Sequence, residues 1–385
     1  MAQVLSSLSG SRPRLSFDLD SYRDKLYLTH NFHPYPAKFV PQIPRVVIER
    51  LSSPGDVVLD PFCGSGTALV ESNLLGRNAI GIDINPIAVL ASRVKTRKLT
   101  GTQLEAVKKV QRRVELVAAA LRKGKTLPIA DIPLFLNRDH WFQPNIQREL
   151  AVIRESAAGI RSSAAREFCF LAMSAIIVKV SNQDSETRWA AVSKNLPDCT
   201  ALDAFISKLG DMIPRIEEFS ASASGSATVI EQSVESDWPV EPGSVDLLVT
   251  SPPYMNSFDY YLYHKLRCFW LGFDHYKVQA GEIGSRNKHC DRSEGVDVYT
   301  NSMSQFFRQA ARALKQGCFA TIIVGDSIYR GKVIDMLPVF RRAGEAAGFR
   351  FAEAWSYDQR KYTTAFTPRL KTAFKRTHII SFARS

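Results

Sequence analysis

The residues best suited to chemistry are Ser251-Pro252-Pro253-Tyr254. They follow an apolar run, Val245-Asp246-Leu247-Leu248-Val249-Thr250, and so stand at the end of a buried strand, where open α/β sheets carry their sites. Two consecutive prolines cannot continue a sheet's hydrogen-bond ladder. The backbone therefore leaves the strand as a fixed, extended turn whose carbonyls have no ladder partner. A rigid acceptor followed by an aromatic ring is suited to holding a flat, amine-bearing ring.

A second constellation lies far upstream. Val57-Val58-Leu59-Asp60 is an apolar run ending in an acid, and Pro61-Phe62-Cys63-Gly64-Ser65-Gly66-Thr67 is a glycine turn that leads into helix-like Ala68-Leu69-Val70-Glu71-Ser72. Another strand-like stretch, Asn78-Ala79-Ile80-Gly81-Ile82, ends in Asp83-Ile84-Asn85-Pro86. That second acid follows the first loop by about 20 residues, the separation at which a carboxylate reaches a ribose hydroxyl in a nucleotide-type cofactor site.

Together these segments resemble the amino-methylating DNA methyltransferases, which use S-adenosylmethionine to methylate cytosine N4 or adenine N6. The resemblance covers roughly residues 30–95 and 240–385. Asp60 through Thr67 is similar to the family's cofactor loop almost residue for residue. Asn31-Phe32-His33-Pro34-Tyr35-Pro36-Ala37-Lys38-Phe39 resembles the segment that precedes the first strand and closes over the cofactor. Ser251-Pro252-Pro253-Tyr254 matches the catalytic tetrapeptide in the form associated most often with cytosine N4.

What the resemblance implies about the site follows residue by residue. Asp60 and the backbone of Gly64-Ser65-Gly66 surround the methionine portion, Asp83 accepts from the ribose hydroxyls, and Pro61, Phe62, Thr67 and Ile84 complete the cofactor-binding set. His33 and Lys38 are candidates for the cofactor side. The Ser251 side chain and the Pro252 carbonyl accept from the two amine hydrogens of the base, Pro253 fixes the turn, and Tyr254 stacks on the ring. A base inside a duplex cannot reach such a pocket, so the target nucleotide is expected to flip, with Phe258 or Tyr260 as further stacking or wall residues. S-adenosylmethionine carries no phosphates, which suits a loop with an acid before its glycines and no GxxxxGK[ST] lysine.

The positioning elements can be read around these motifs. A helix is expected from Pro41 to Leu51, another after Pro86, and a mainly helical insertion at 101–224 containing Leu104–Lys123, Ile146–Ile160 and Ala164–Val180. Sheet-like text resumes with Ala227-Thr228-Val229-Ile230, followed by a helix at Ser304–Leu314, a strand at Phe319–Val324, a helix at Val333–Ala347 and closing strands near 349–357 and 377–383. The expected fold is α/β, a doubly wound Rossmann-like methyltransferase sheet with an antiparallel C-terminal tail and a mainly helical insertion. Residues 1–29 read as a tail, 30–100 with 225–385 as the catalytic domain, and 101–224 as the candidate DNA-recognition region.

The chain's 385 residues are enough for one large α/β core. Its 45% hydrophobic and 23% charged content is that of a soluble globular protein, and the N-terminus lacks a basic segment before a long apolar core, so a cytoplasmic location is expected. The net charge of +12 favours a polyanionic partner, here double-stranded DNA, with a cognate restriction endonuclease as a second candidate partner. Arg360, Lys361, Arg369, Lys371, Lys375 and Arg376, interleaved with aromatics, are candidate phosphate contacts, and the polar stretch 283–292 joins the helical insertion as a candidate DNA-reading element. Six cysteines without a CxxC pair argue against structural zinc, and no metal is expected. No Pro-Cys dipeptide occurs, which excludes the nucleophile of cytosine C5 methylation. Adenine N6, RNA methylation and a non-enzymatic nucleic-acid module are the alternatives.

Overall fold

Apolar strands pair into one seven-stranded sheet in the computed structural model, which describes residues 17, 27–38, 40–186, 188–256, 258–286, 295–358 and 375–385. Helix α1 (Gln42–Leu51) delivers the chain to β1 (Val57–Asp60), followed by α2 (Thr67–Leu74), β2 (Asn78–Asp83) and α3 (Pro86–Thr96). Next come α4 (Gly101–Arg122), α5 (Pro144–Ala158), α6 (Ser163–Val180), the hairpin β3 (Gln183–Ser185) and β4 (Arg188–Ala191), and α7 (Thr200–Ser222). The sheet resumes with β5 (Ser226–Glu231) and β6 (Val245–Thr250), then α8 (Tyr260–Leu271), α9 (His275–Gly281) and α10 (Val296–Ala313). The chain closes with β7 (Leu314–Gly325), the hairpin β8 (Ser327–Tyr329) and β9 (Lys332–Ile334), α11 (Met336–Ala346), β10 (Phe349–Asp358) and β11 (Arg376–Arg384).

The strand order is β10-β11-β7-β6-β1-β2-β5. Pairings among β5, β2, β1, β6 and β7 are all parallel, and β11 runs antiparallel to both of its neighbours. From β1 the chain first builds outward through β2 and β5, then returns to place β6 on the other side of β1. The crevice at the carboxyl ends of β1 and β6 is thus the topological switch point, where open α/β sheets bind ligands. Successive side chains point to opposite faces. Leu59, Leu248, Ile322 and Ile380 pack on α10 and α11, whereas Val58, Leu247, Ile323 and Ile379 pack on Ile43 and Val47 of α1.

Helices α4 to α7 share one hydrophobic core with α3 and α8, which includes Val107, Leu150, Phe168, Leu209, Leu90 and Trp270. Within it the Glu149 carboxylate caps α7, accepting from the backbone N–H groups of Cys199 and Ala201 at 2.7 Å each and Leu202 at 3.2 Å. A buried anion at a helix N-terminus satisfies donors that have no partner within the helix. No helix among the described residues is long and apolar enough to cross a membrane.

Several expected boundaries move. Helix α4 begins at Gly101 rather than Leu104, because Thr100 and Gln103 form a reciprocal capping box. The largely helical 101–224 also contains the short hairpin β3–β4, and α7 continues through what the sequence left without a stated element. Helix α10 starts at Val296, eight residues before the expected Ser304, and Leu314 opens β7 instead of closing the helix. The expected helix at Val333–Ala347 begins at Met336, with Asp335 as its N-cap, because Val333 pairs with Ile328 in a hairpin. The basic positions Arg360, Lys361, Arg369 and Lys371, and residues 287–292 of the polar stretch, lie outside the described residues.

Candidate cofactor and catalytic cleft

Strand β1 carries Asp60 and β6 carries Thr250 to the switch point, where the Thr250 hydroxyl donates to Asp60 Oδ1 at 2.6 Å. The same carboxyl oxygen accepts from the Phe62 backbone N–H at 3.2 Å, whereas Oδ2 is buried with no partner among the described residues. Burial raises the Asp60 pKa to about 7 against the lowering influence of these hydrogen bonds.

The chain then turns through Gly64 and Gly66, with φ of 49° and 79°. Gly66 is required twice over, by its left-handed backbone and because a Cβ there would come within 2.8 Å of Ser92 Oγ and 3.0 Å of Ser92 Cα. Ser92 and Lys95 of α3 hold the turn from below, donating to the carbonyls of Gly64 at 2.7 Å and Ser65 at 2.5 Å. Asp83 holds it from the side, with Oδ2 accepting from Gly64 N–H at 2.9 Å and Oδ1 from Asn85 N–H at 2.8 Å. Burial lifts the Asp83 pKa to about 6, and its backbone hydrogen bonds oppose that rise.

The proline turn leaves β6 beside this loop. The Tyr299 hydroxyl donates to the Pro253 carbonyl at 2.9 Å. The Tyr254 ring lies against Gly325 at the end of β7, so close that a Cβ at position 325 would sit 2.6 Å from Tyr254 Cε2, and its hydroxyl faces the Ser251 side chain. Gly284, with φ of 71°, packs against the Tyr254 carbonyl, and its own carbonyl accepts from the Asn256 N–H at 2.9 Å.

The N-terminal segment forms a third wall. Tyr35 stacks on His264 and Tyr260, with ring centroids 4.9 and 5.8 Å apart. Fully buried Glu71 of α2 anchors this segment, bonded to Tyr27 Oη at 2.5 Å and His30 Nε2 at 2.6 Å and paired with Arg45 Nη1 at 3.2 Å. Together the walls bound a cleft of about 830 Å³, including its open mouth.

The family model for N6/N4 DNA methylases matches residues 9–93. Type II methyltransferase M.MjaII of Methanocaldococcus jannaschii is 41% identical over 93 residues, 24% of this chain and 18% of the relative. Type II methyltransferase M.MvaI of Kocuria varians is 26% identical over 262 residues, 63% of this chain and 58% of the relative. The matched segment is that of the amino-methylating DNA methyltransferase family. The chain spans less than two thirds of the length of either relative. Among solved structures, TrmN from Thermus thermophilus aligns over 90% of this chain and 49% of its own, at 11% identity and a TM-score of 0.36.

S-adenosylmethionine is the methyl donor of this family, and the cleft has features that fit it. Asp60 Oδ2 and Ser65 Oγ are buried polar atoms at the cofactor loop with no hydrogen-bond partner among the described residues, and Ser65 lines the cleft. A carboxylate has about four acceptor sites, so Asp83 keeps capacity beyond its two backbone bonds. The cleft is lined by Lys38, Pro61, Phe62, Gly64, Ser65, Thr67, Asp83 and Ile84 of the expected cofactor set, and by Ser251 and Pro253 of the catalytic turn. Asp60, Gly66, Pro252 and Tyr254 of the expected set are not among the residues that line it.

His33 does not reach the cleft. Its Nε2 bonds to Ser174 Oγ of α6 at 2.9 Å and its ring faces His264, so it is buried between helices. Burial and nearby Arg267 hold its pKa well below the usual imidazole range. Gln232, Ser233 and Val234, just after β5, line the cleft; the sequence placed Glu231-Gln232-Ser233 near an expected adenine contact without a clear acidic signature. Tyr35 lies in the segment 31–39 that the resemblance assigned to the cofactor side, whereas Lys95, Tyr299 and Gly325 had no signal beyond their residue types, because each acts through a partner distant in the chain.

The raised Asp60 pKa predicts a pH signature in the ligand-free protein. The native state holds a proton that the unfolded chain releases near pH 4, so stability falls as pH rises from about 4 to about 7 and is flat above. Asp60→Asn keeps an acceptor for Thr250 and Phe62 but has no charge to bury. It should exceed wild type in stability by on the order of a few kcal/mol at pH 8. Urea unfolding should record that margin narrowing steadily toward pH 4, and a pH-independent margin would refute the assignment.

Proposed function

We propose that the protein transfers a methyl group from S-adenosylmethionine to the exocyclic N4 amine of a flipped cytosine in double-stranded DNA, as the modification half of a restriction–modification system. The observation that carries this reading is that Ser251 and Pro253 share one cleft with Gly64 and Asp83 at the switch point of the sheet. A cognate endonuclease is the proposed partner in the cell, and segment 101–224 the proposed reader of DNA sequence.

When bound, the cofactor supplies an electrophilic methyl group on a sulfonium. An exocyclic base amine is a weak nucleophile because its lone pair is delocalised into the ring. Ser251 and the Pro252 carbonyl would accept from the two amine hydrogens and localise that pair on nitrogen. Tyr299 occupies the Pro253 carbonyl and so fixes the turn that aims the preceding one. Tyr254, backed by Gly325, would form the platform for the base. Asp60 and the Gly64–Gly66 turn would take the methionine end, Asp83 the ribose, and Ile84 with Gln232–Val234 the adenine side of the cleft. Catalysis would then consist of positioning and oriented dipoles, and alignment of this kind can supply about 7–11 kcal/mol.

The test is incubation with methyl-labelled S-adenosylmethionine and separate pools of duplex DNA, single-stranded DNA and RNA, followed by digestion and identification of the product nucleoside by mass. N4-methylcytosine from the duplex pool is expected. N6-methyladenine, which the matched family model also covers, would keep the mechanism and overturn the base assignment. Label confined to RNA would overturn the substrate. Ser251→Ala should lower kcat about a hundredfold, the loss typical of one preorganised hydrogen-bonding group, and leave measurable turnover.

A further inference from the structure

The hairpin β8–β9 is used by nothing described above. It stands beside the catalytic turn: Asn256, two residues past Tyr254, donates from Nδ2 to the Ile328 carbonyl at 2.7 Å, and the strand leading into the hairpin ends at Gly325 against the Tyr254 ring. Tyr329 pairs with Lys332, which leaves Arg330-Gly331 as a two-residue turn with φ of 49° and 74°. Positive φ at both central positions is the geometry of a type I′ turn, for which Asn-Gly is the favoured sequence and a long side chain at the first position is strained.

The chain accepts that strain and puts a cation there. Arg330, Gly331 and Lys332 are exposed, and the Arg330 guanidinium lies 5.1 Å from the centroid of the half-buried Tyr329 ring. Neither cation has an acidic partner among the described residues. The two acids at the base of the hairpin are engaged elsewhere: Asp326 with His378 at 2.9 Å, and Asp335 with the Leu337 N–H of α11 at 3.0 Å. The hairpin tip therefore presents two uncompensated positive charges next to the catalytic turn.

We infer that this hairpin is a phosphate clamp, with Arg330 and Lys332 holding the DNA backbone beside the target nucleotide. The inference rests on the proposed DNA reading and gives it a contact element. A nucleotide rotated out of a duplex drags its flanking phosphates toward the pocket mouth, and cations fastened to the catalytic turn by Asn256 would meet them there. Arginine suits this position, since its planar fork matches phosphate oxygens in two hydrogen bonds.

Phosphate contacts carry no sequence information, so the test needs no recognition site. Binding of the full-length chain to a mixed-sequence duplex is measured by fluorescence anisotropy over a salt series. The slope of log affinity against log salt should become shallower by about 1 for each cation removed, hence by about 2 in the double variant Arg330→Ala/Lys332→Ala. Arg50→Ala, an exposed cation whose neighbour Leu51 lies by Gly317 and Phe319, toward the end of β7 away from the hairpin, should leave the slope unchanged. A double variant that melts like wild type and keeps the wild-type slope would overturn the clamp alone. Wild-type protein that takes up S-adenosylmethionine but has no salt-dependent affinity for duplex DNA would overturn the DNA reading and the clamp with it. A slope change seen with single-stranded RNA and absent with duplex would overturn the assigned partner.

Discussion

Replacing Gly325 by alanine is expected to lower turnover by roughly a hundredfold or more while leaving cofactor affinity close to that of wild type, because a misplacement of about 1 Å at a reacting centre has that effect. Position 325 ends β7, where Gly325 pairs with Thr377 of β11, while β6 pairs with the same strand as far as Ile322. The added methyl group would fall 2.6 Å from the edge of the Tyr254 ring, well inside contact distance, and the ring is the part that can yield. Displacing it would also break the hydroxyl contact to Ser251, so both the platform and the amine acceptor would lose their places. The cofactor loop sits across the crevice and is held by Ser92, Lys95 and Asp83, none of which touches Gly325. Equilibrium titration with S-adenosylmethionine alongside steady-state kinetics separates the two effects. A large loss of cofactor affinity in this variant would contradict the division of labour proposed for the two halves of the cleft.

Asp83→Ala should have the converse effect and weaken cofactor binding by about 100- to 1,000-fold, since hydrogen bonds to a charged group contribute about 1.5–3 kcal/mol each. The carboxylate holds the glycine turn through Gly64 N–H and the following helix start through Asn85 N–H. It also faces the cleft, where it would accept from the ribose. The variant should fold, because burial raises the Asp83 pKa to about 6 and removing the carboxyl also relieves that unfavourable burial. Isothermal titration would record the loss, and turnover at saturating cofactor should recover in part. Unchanged affinity would mean that Asp83 is only a structural support for the loop.

The two motifs that define the cleft were legible for a common reason. Both are places where the backbone departs from a strand under strict local constraint. Pro252-Pro253 cannot pair, and Gly64 and Gly66 occupy left-handed conformations that other residues resist. Apolar runs such as Leu247-Leu248-Val249 announced their strands because burial on both faces favours apolar side chains there. Short or cap-determined elements were less legible. The hairpin β8–β9 has strands of three residues each, too few for a period to register, and its last two residues, Val333 and Ile334, fall in the helix expected from the sequence. The start of α10 lies eight residues before the expected one.

The sequence by itself determined the chemistry available: a buried acid before a glycine turn, a second acid at ribose spacing, and a proline-locked acceptor with an aromatic neighbour. These follow from local constraints on a few adjacent residues. Only the tertiary structure decided which groups cooperate. It joined Thr250 to Asp60 across 190 positions, set Gly325 behind Tyr254, used Glu71 to tie Tyr27 and His30 beneath the N-terminal wall, and took His33 out of the cleft into a helix interface. Those pairings depend on strand order and on which face of each strand is buried, quantities that the chain fixes only when all of its apolar surfaces are packed at once.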